Sequence, residues 1–329
     1  MMKKGLLLVL AIIAAIALVG CGKTAEKEKD VLKVALAIPG SKTDGGWSQV
    51  AYKGLVQIEE KLGAEISVNE NTQPADYVKV LREYAKAGND VVIGHGFEFG
   101  DPALEVAKDF PDVQFIVTST NVTNNKNVGS INNNYLQAGF LQGAFAALMS
   151  KTGTVANVGG LNIPPIVNNA KGFEAGAKYI NPNIKVLSTI TGSGDDVNKA
   201  KEQALTFIAQ GADIVMANAN AAGRGVYVAA TEKGVLAIAS IYAEYDAYDK
   251  ALIACSKADM STALFTAVKQ IQDGTYKVQF NLMGIKEGIV GFNFSPKLES
   301  QVPADIKTKM ADLEKKLGSN EIDVTKLVK

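Results

Sequence analysis

The segment Gly94-His95-Gly96-Phe97-Glu98-Phe99-Gly100-Asp101 sets one carboxylate between two aromatic rings, with glycines around all three. Such a wall suits a planar ligand that presents N–H donors, because an ionised carboxylate only accepts hydrogen bonds while a ring face stacks. A second loop, Pro39-Gly40-Ser41-Lys42-Thr43-Asp44-Gly45-Gly46-Trp47, holds the one tryptophan of the chain. Trp47 offers a flat stacking face there; its alternative use is as a staple on the start of the helix that follows. Glu98 has two readings, a ligand contact and a solvated loop carboxylate. Asp101, just before Pro102, fits a helix N-cap.

Composition removes most other chemistry. His95 is the only histidine, and the cysteines are Cys21 and Cys255. A multi-histidine or cysteine-rich metal site is therefore excluded, and Ser-His-Asp catalysis could use only His95. His95 itself reads as a structural hydrogen-bonding residue. The glycines around it do not follow the G-x-G-x-x-G dinucleotide pattern, since the third falls one place late, and no G-x-x-x-x-G-K-[ST] phosphate loop occurs. Basic and acidic residues balance at 34 each, so no strong field points to nucleic acid.

The second half of the chain repeats the theme with amides. Leu161-Asn162-Ile163-Pro164-Pro165 and Asn218-Ala219-Asn220-Ala221-Ala222-Gly223 each follow an apolar run. Asn132-Asn133-Asn134-Tyr135 lies at an expected crossing between lobes, and Tyr242, Glu244 and Tyr245 lie near a later one. Each asparagine alone is equally a turn former; together, at strand ends, they describe a site for an uncharged, planar, hydrogen-bonding molecule.

The elements that must position these loops follow from periodicity. Residues 31–38 form a buried strand pattern, and 49–62 carry Ala51, Leu55, Ile58 and Leu62 at helical spacing. Strands at 65–68, 90–93 and 113–117 alternate with helices at 75–87 and 102–109. The rhythm restarts with a helix at 137–149. Strands at 155–158, 185–191, 213–217 and 235–239 then alternate with helices at 167–179, 199–209 and 225–233. A helix bearing Met260, Ala263, Leu264, Ala267, Val268 and Ile271 comes later, followed by strand-like pieces at 277–283 and 288–292. Two successive doubly wound α/β units imply two similar lobes, with ligands outside the carboxyl ends of the strands. The expected division is 31–122 plus about 246–276 for lobe 1 and 123–245 plus about 277–329 for lobe 2.

The first residues carry an address. Lys3 and Lys4 precede an apolar run from Leu6 to Val19, too short to span a bilayer comfortably where about 20 residues are needed. This is the pattern of a secretory signal, here 1–20. Leu18-Val19-Gly20-Cys21 resembles the lipobox of bacterial lipoproteins, in which the cysteine becomes the acylated first residue. Residues 21–30 read as a polar tether. Acyl chains such as palmitate, at about 0.8 kcal/mol per buried methylene, would hold the protein on the extracytoplasmic membrane face.

Taken together, the chain resembles the basic membrane protein family of solute-binding lipoproteins, which includes purine nucleoside receptors of ABC importers. The markers are Asp44-Gly45-Gly46-Trp47-Ser48-Gln49, the histidine-glycine-aromatic loop at 94–101, Gly159-Gly160-Leu161-Asn162-Ile163-Pro164, Gly172-Phe173-Glu174-Ala175-Gly176-Ala177 and Gly284-Ile285-Lys286-Glu287-Gly288. The resemblance implies a type I periplasmic-binding-protein fold, two Rossmann-like lobes joined by three strands with the ligand between them. It places Trp47 at the family's first-loop aromatic and Lys286 at a cleft lysine. Two departures stand out: Thr118-Ser119 replace an aspartate after the fourth strand, and in 239–244 the carboxylate that contacts ribose is missing or displaced. Both weaken ribose recognition, and the histidine-glycine-aromatic loop looks more like that of members binding a free purine base such as adenine than of those binding a nucleoside. The candidate ligand-binding residues are Asp44, Trp47, Phe97, Glu98, Phe99, Asn133, Asn134, Ile163, Asn218, Asn220, Tyr242 and Lys286, with Cys21 for lipid. The partners implied are a purine and an ABC permease, for a monomer; no cofactor, metal, nucleic acid or catalysis is expected. The alternatives are an extracytoplasmic nucleoside-processing enzyme using Glu98, Asp101 and His95, and a ligand sensor for a membrane partner.

Overall fold

The computed structural model describes residues 31–241 and 243–328. Cys21, the signal and the tether lie outside the described residues, as does Tyr242. Among the described residues no helix is long and apolar enough to cross a membrane.

The first sheet is built from β1 (Lys33–Ala37), β2 (Glu65–Asn69), β3 (Val91–Gly94), β4 (Gln114–Thr118), β5 (Val128–Asn133) and β11 (Phe280–Met283). Its order is β11-β5-β4-β3-β1-β2, and every pairing is parallel. Parallel strands need crossover connections, and these are α1 (Trp47–Leu62), α2 (Tyr77–Lys86) and α3 (Gly100–Val106). Helix α1, with Ala51, Leu55 and Ile58 inward, covers one face together with α8 (Met260–Gln272). Helices α2 and α3 cover the other around Leu81, Phe99 and Phe115.

The second sheet joins β6 (Thr154–Gly159), β7 (Lys185–Ile190), β8 (Ile214–Asn218), β9 (Leu236–Ala239), β10 (Leu252–Ala258) and β12 (Val290–Phe294) in the order β12-β10-β9-β8-β6-β7. Only β12 runs antiparallel to its neighbour. Helices α6 (Val197–Ala209) and α7 (Gly223–Lys233) cover one face. On the other lie α4 (Tyr135–Met149), α5 (Pro164–Ile180) and α9 (Ala304–Gly318). Helices α4 and α5 meet backbone to backbone: a Cβ on Gly143 would collide with the Phe173 carbonyl, and one on Gly176 with that of Phe140. The Gly172–Ala177 motif thus serves helix packing.

The chain passes between the sheets three times. It leaves the first at Asn134, returns after β10 at Asp259, and crosses again at 284–289 between β11 and β12. These points differ from the expected boundaries near 122, 246 and 276. Strand β5 belongs to the first sheet and β10 to the second, and β11 pairs with β5 in the first. The physical reason is that β5, Val-Gly-Ser-Ile-Asn-Asn, carries no apolar run that marks it as a strand. Its place comes from pairing with β4.

Candidate functional site

Loops at the carboxyl ends of both sheets enclose a cavity of about 680 Å³ between the lobes, within the usual range for small-molecule sites. Its lobe 1 wall starts at Asp44. That carboxylate accepts from the backbone N–H groups of Gly46 (2.8 Å), Ser48 (3.0 Å) and Gln49 (3.1 Å). Asp44 lines the cavity, yet its oxygens are engaged in fixing the start of α1.

Trp47 follows, half-buried and lining the cavity. Its indole stacks on His95, with centroids 4.0 Å apart and planes 24° apart. His95 is fully buried. Its Nε2 lies 3.0 Å from the Trp47 carbonyl oxygen and its Nδ1 2.9 Å from Thr118 Oγ1. A carbonyl only accepts, so Nε2 carries the proton and Nδ1 accepts from the threonine hydroxyl. Burial pushes the imidazole down to about 3, so it stays neutral. Both ring nitrogens are engaged, and the ring acts as a fixed backing for Trp47.

The aromatic loop divides its side chains. Phe97 is 39% exposed and lines the cavity. Glu98 lines it too, and burial raises its carboxyl above the ordinary range with no cation opposing the shift. Gly96 sits at φ +139°, and a Cβ there would lie 2.5 Å from the Glu98 carboxylate. Phe99 departs from expectation. It is 0% exposed and packs on Tyr77 at 4.3 Å within the lobe 1 core. Residues 97–99 form one 3-10 turn, which sends successive side chains in different directions.

On lobe 2, Ile163 lines the cavity just before the Pro164-Pro165 start of α5. Asn218, at the end of β8, donates through Nδ2 to Asn169 Oδ1 (3.2 Å). Asn169 donates to Gln142 Oε1 (3.0 Å), and Gln142 donates to the Ala239 carbonyl and Ser256 Oγ, both at 3.1 Å. This buried chain behind the wall fixes the Asn218 amide so that Oδ1 is left for the cavity. Asn220, at φ +43°, accepts from the Trp47 backbone N–H across the cleft at 3.1 Å. Arg224 grips Glu244 through two bonds of 2.8 and 2.9 Å, and its guanidinium lies against Gly45 of the other lobe.

Three further expected residues do not line the cavity. Asn134 caps α4, accepting from the Gln137 N–H at 3.1 Å. Asn133 is 1% exposed, with neither amide atom partnered. Lys286 stands exposed on the third crossing. All three sit where the chain changes lobes, and there the backbone is directed along the crossing. Conversely, Ser119, Tyr135, Ser193 and Asp195 line the cavity although they are not among the expected ligand-binding residues. Ser119, at φ +60°, pairs with the Tyr135 hydroxyl at 3.0 Å. Ser193 and Asp195 follow β7, where the strand-end rule applies equally; their loop holds no aromatic or amide to mark it. Among the described residues, the charged side chains lining the cavity are all acidic: Asp44, Glu98 and Asp195. Among the described residues no group is arranged to hold a metal ion.

Comparison with known proteins agrees with this architecture. A purine-binding protein of Brucella abortus is 27% identical over 96% of this chain and 88% of its own. The transcriptional activator protein med of Bacillus subtilis is 28% identical over 84% and 86%. The solved structure of an ABC-transporter solute-binding protein from Conexibacter woesei superposes with a TM-score of 0.73 at 26% identity, covering 89% of this chain and 98% of that one. The fold is accordingly the two-lobed one of ABC-transporter solute-binding proteins. Over residues 31–327 the sequence matches the family described as Bmp, ABC transporter substrate-binding protein PnrA-like, and the chain belongs to it.

Proposed function

We propose that this protein captures a neutral purine in the interlobe cleft and hands it to an ABC permease, acting as a monomer on the extracytoplasmic membrane face through lipid on Cys21. The observation that carries the reading is the lobe 1 wall. An indole held rigid by His95, the exposed Phe97 ring and a desolvated Glu98 share one cavity that no cationic side chain among the described residues lines. Ring faces take up a flat heterocycle, Glu98 accepts its N–H groups, and Asn218 adds an acceptor from the other lobe. A phosphorylated ligand would face carboxylates with no cationic side chain among the described lining residues to offset them. The purine-binding relative in Brucella abortus supports the same ligand class.

Closure follows from the geometry. A ligand touching both walls binds the shut form better than the open one, and that difference drives the lobes together. Isothermal titration with adenine, guanine, adenosine, inosine and ribose tests the proposal; heat from ribose alone would overturn it. The relative in Bacillus subtilis is named as a transcriptional activator, which supports a sensor as the second reading. Deletion separates the two: a transporter loses purine uptake, whereas a sensor loses a transcriptional response.

A further inference from the structure

Strand β11 is an edge of the first sheet, bonded to β5 on one side and, among the described residues, to no strand on the other. The Gln279 and Met283 carbonyls accept from the Ser130 N–H (3.1 Å) and the Asn134 N–H (2.8 Å). Backbone groups alternate in direction along a strand. Residues 279, 281 and 283 therefore face β5, and Phe280 and Leu282 turn their N–H and C=O groups outward. Their side chains are uncovered as well, at 36% and 50% exposed, and share one face of the sheet. Met283, on the opposite face, packs into the core beneath α1 and α8.

Folded proteins ordinarily blunt such edges with charge, proline or cover. Here β2 carries Glu65 and β7 carries Lys185, while the Phe292 and Phe294 rings of β12 pack on Phe145. Strand β11, Phe-Asn-Leu-Met, has neither charge nor proline, and its two outward residues are bare.

This edge is complementary to itself. Two copies of β11 set antiparallel about Asn281 bring Phe280 opposite Leu282 of the second copy, twice over. These are the residues whose N–H and C=O groups point outward, so each pair exchanges two hydrogen bonds. Each pair also sets a ring beside an aliphatic chain on one face. Charge agrees with the arrangement. Lys277, at the amino end of the strand, has no ion-pair partner among the described residues. At the carboxyl end Glu287 is fixed by accepting from the Gly284 N–H at 2.7 Å; Lys286 in the same turn has no such anchor. Antiparallel pairing brings Lys277 of one copy to the end where Glu287 of the other is held.

We infer that the β11 edge is a docking surface for a second copy of this chain, joining two first sheets across a two-fold axis at Asn281. Residues 280–283 do not line the cavity. Each copy therefore keeps its own cleft and takes up its ligand singly, and the inference is independent of what that ligand is. Four residues a side make a short contact, so the pairing is reversible and depends on concentration.

Sedimentation equilibrium of the purified protein, up to about 1 mM, tests it. The expected mass rises towards that of two chains. Leu282→Lys puts charge on the edge and abolishes the rise. Because Leu282 is exposed and outside the cleft, the variant keeps the parent's unfolding midpoint and ligand affinity. Register is read by cross-linking. A residue on the axis meets its own copy at a Cα separation of about 4.5 Å, within disulfide range. Oxidised Asn281→Cys is expected to link two chains beyond any linkage in the parent. Gln279→Cys, about 13 Å out of register with its copy, is not. A mass that stays that of one chain overturns the inference and leaves the edge to a strand of another protein. Association that survives Leu282→Lys, or equal cross-linking of the two cysteine variants, overturns it too.

Discussion

The backbone N–H of Trp47 on lobe 1 donates to the side-chain oxygen of Asn220 on lobe 2 at 3.1 Å. Trp47 thus offers its ring to the cavity and joins the lobes through its backbone. Gly46 makes the approach possible, because a Cβ there would collide with that same Asn220 oxygen. Because the bond joins the two lobes, separating them would break it, and its energy would favour the closed arrangement.

Asn220→Ala is expected to weaken ligand binding by about 1 kcal/mol, the net value of one hydrogen bond, and to leave the unfolding midpoint nearly unchanged. Gly46→Ala should prevent full closure, seen as a radius of gyration that no longer shrinks when purine is added. Combining the two substitutions should restore shrinkage, since the collision needs both partners. A double variant that stays open would mean that the glycine serves something other than closure.

Trp47 is the only tryptophan, so its fluorescence reports the cleft alone. Purine binding is expected to quench it. Trp47→Ala should cost about 1–3 kcal/mol of affinity, in line with base–aromatic stacking elsewhere, and Trp47→Phe less. Emission that ignores a saturating ligand would remove the indole from the binding wall.

His95 ties stability to pH. Its value falls from 6.5 to about 3 on folding because burial disfavours the charged ring. Between those two values the unfolded chain holds a proton that the folded protein does not, so stability declines as pH drops from 6.5 towards 3. The slope from this one group is at most ~1.4 kcal/mol per pH unit. His95→Asn should flatten urea-unfolding free energies over that window. It should also loosen Trp47, read as a shift in tryptophan emission.

Glu98 trades stability for binding. Burial raises its carboxyl, so the folded protein holds a proton over a range where the unfolded chain has lost it. Stability falls as pH rises through that range, and the deficit persists above it. Glu98→Gln is therefore expected to unfold at a higher temperature at neutral pH. The same variant should bind purine more weakly and lose the decline in affinity that the parent shows on acidification. A variant weaker in both respects would make Glu98 a support for its loop instead.

Local pattern was enough for much of this. The alternation of strand and helix signals located both α/β layers, and the rule that ligands gather past strand ends directed attention to Trp47, Phe97, Glu98, Ile163, Asn218 and Asn220, all of which line the cavity. Helix α9 shows how a legible signal goes unread: Ile306, Met310, Leu313 and Leu317 are spaced for one buried face, but lie beyond the last recognised strand.

Other features were decided only in three dimensions. Strand β5 is polar in sequence and becomes a strand through its neighbours β4 and β11. Phe97 and Phe99 look equivalent as text, and a single 3-10 turn sends one to the cleft and the other to the core. Asp44 reads as a ligand group until three backbone N–H groups converge on it. Periodicity records which residues seek burial, because that preference is local and repeats along the chain. Which oxygen or N–H remains free for a ligand depends on partners far away in sequence, and for Trp47 and Asn220 that separation is 173 residues.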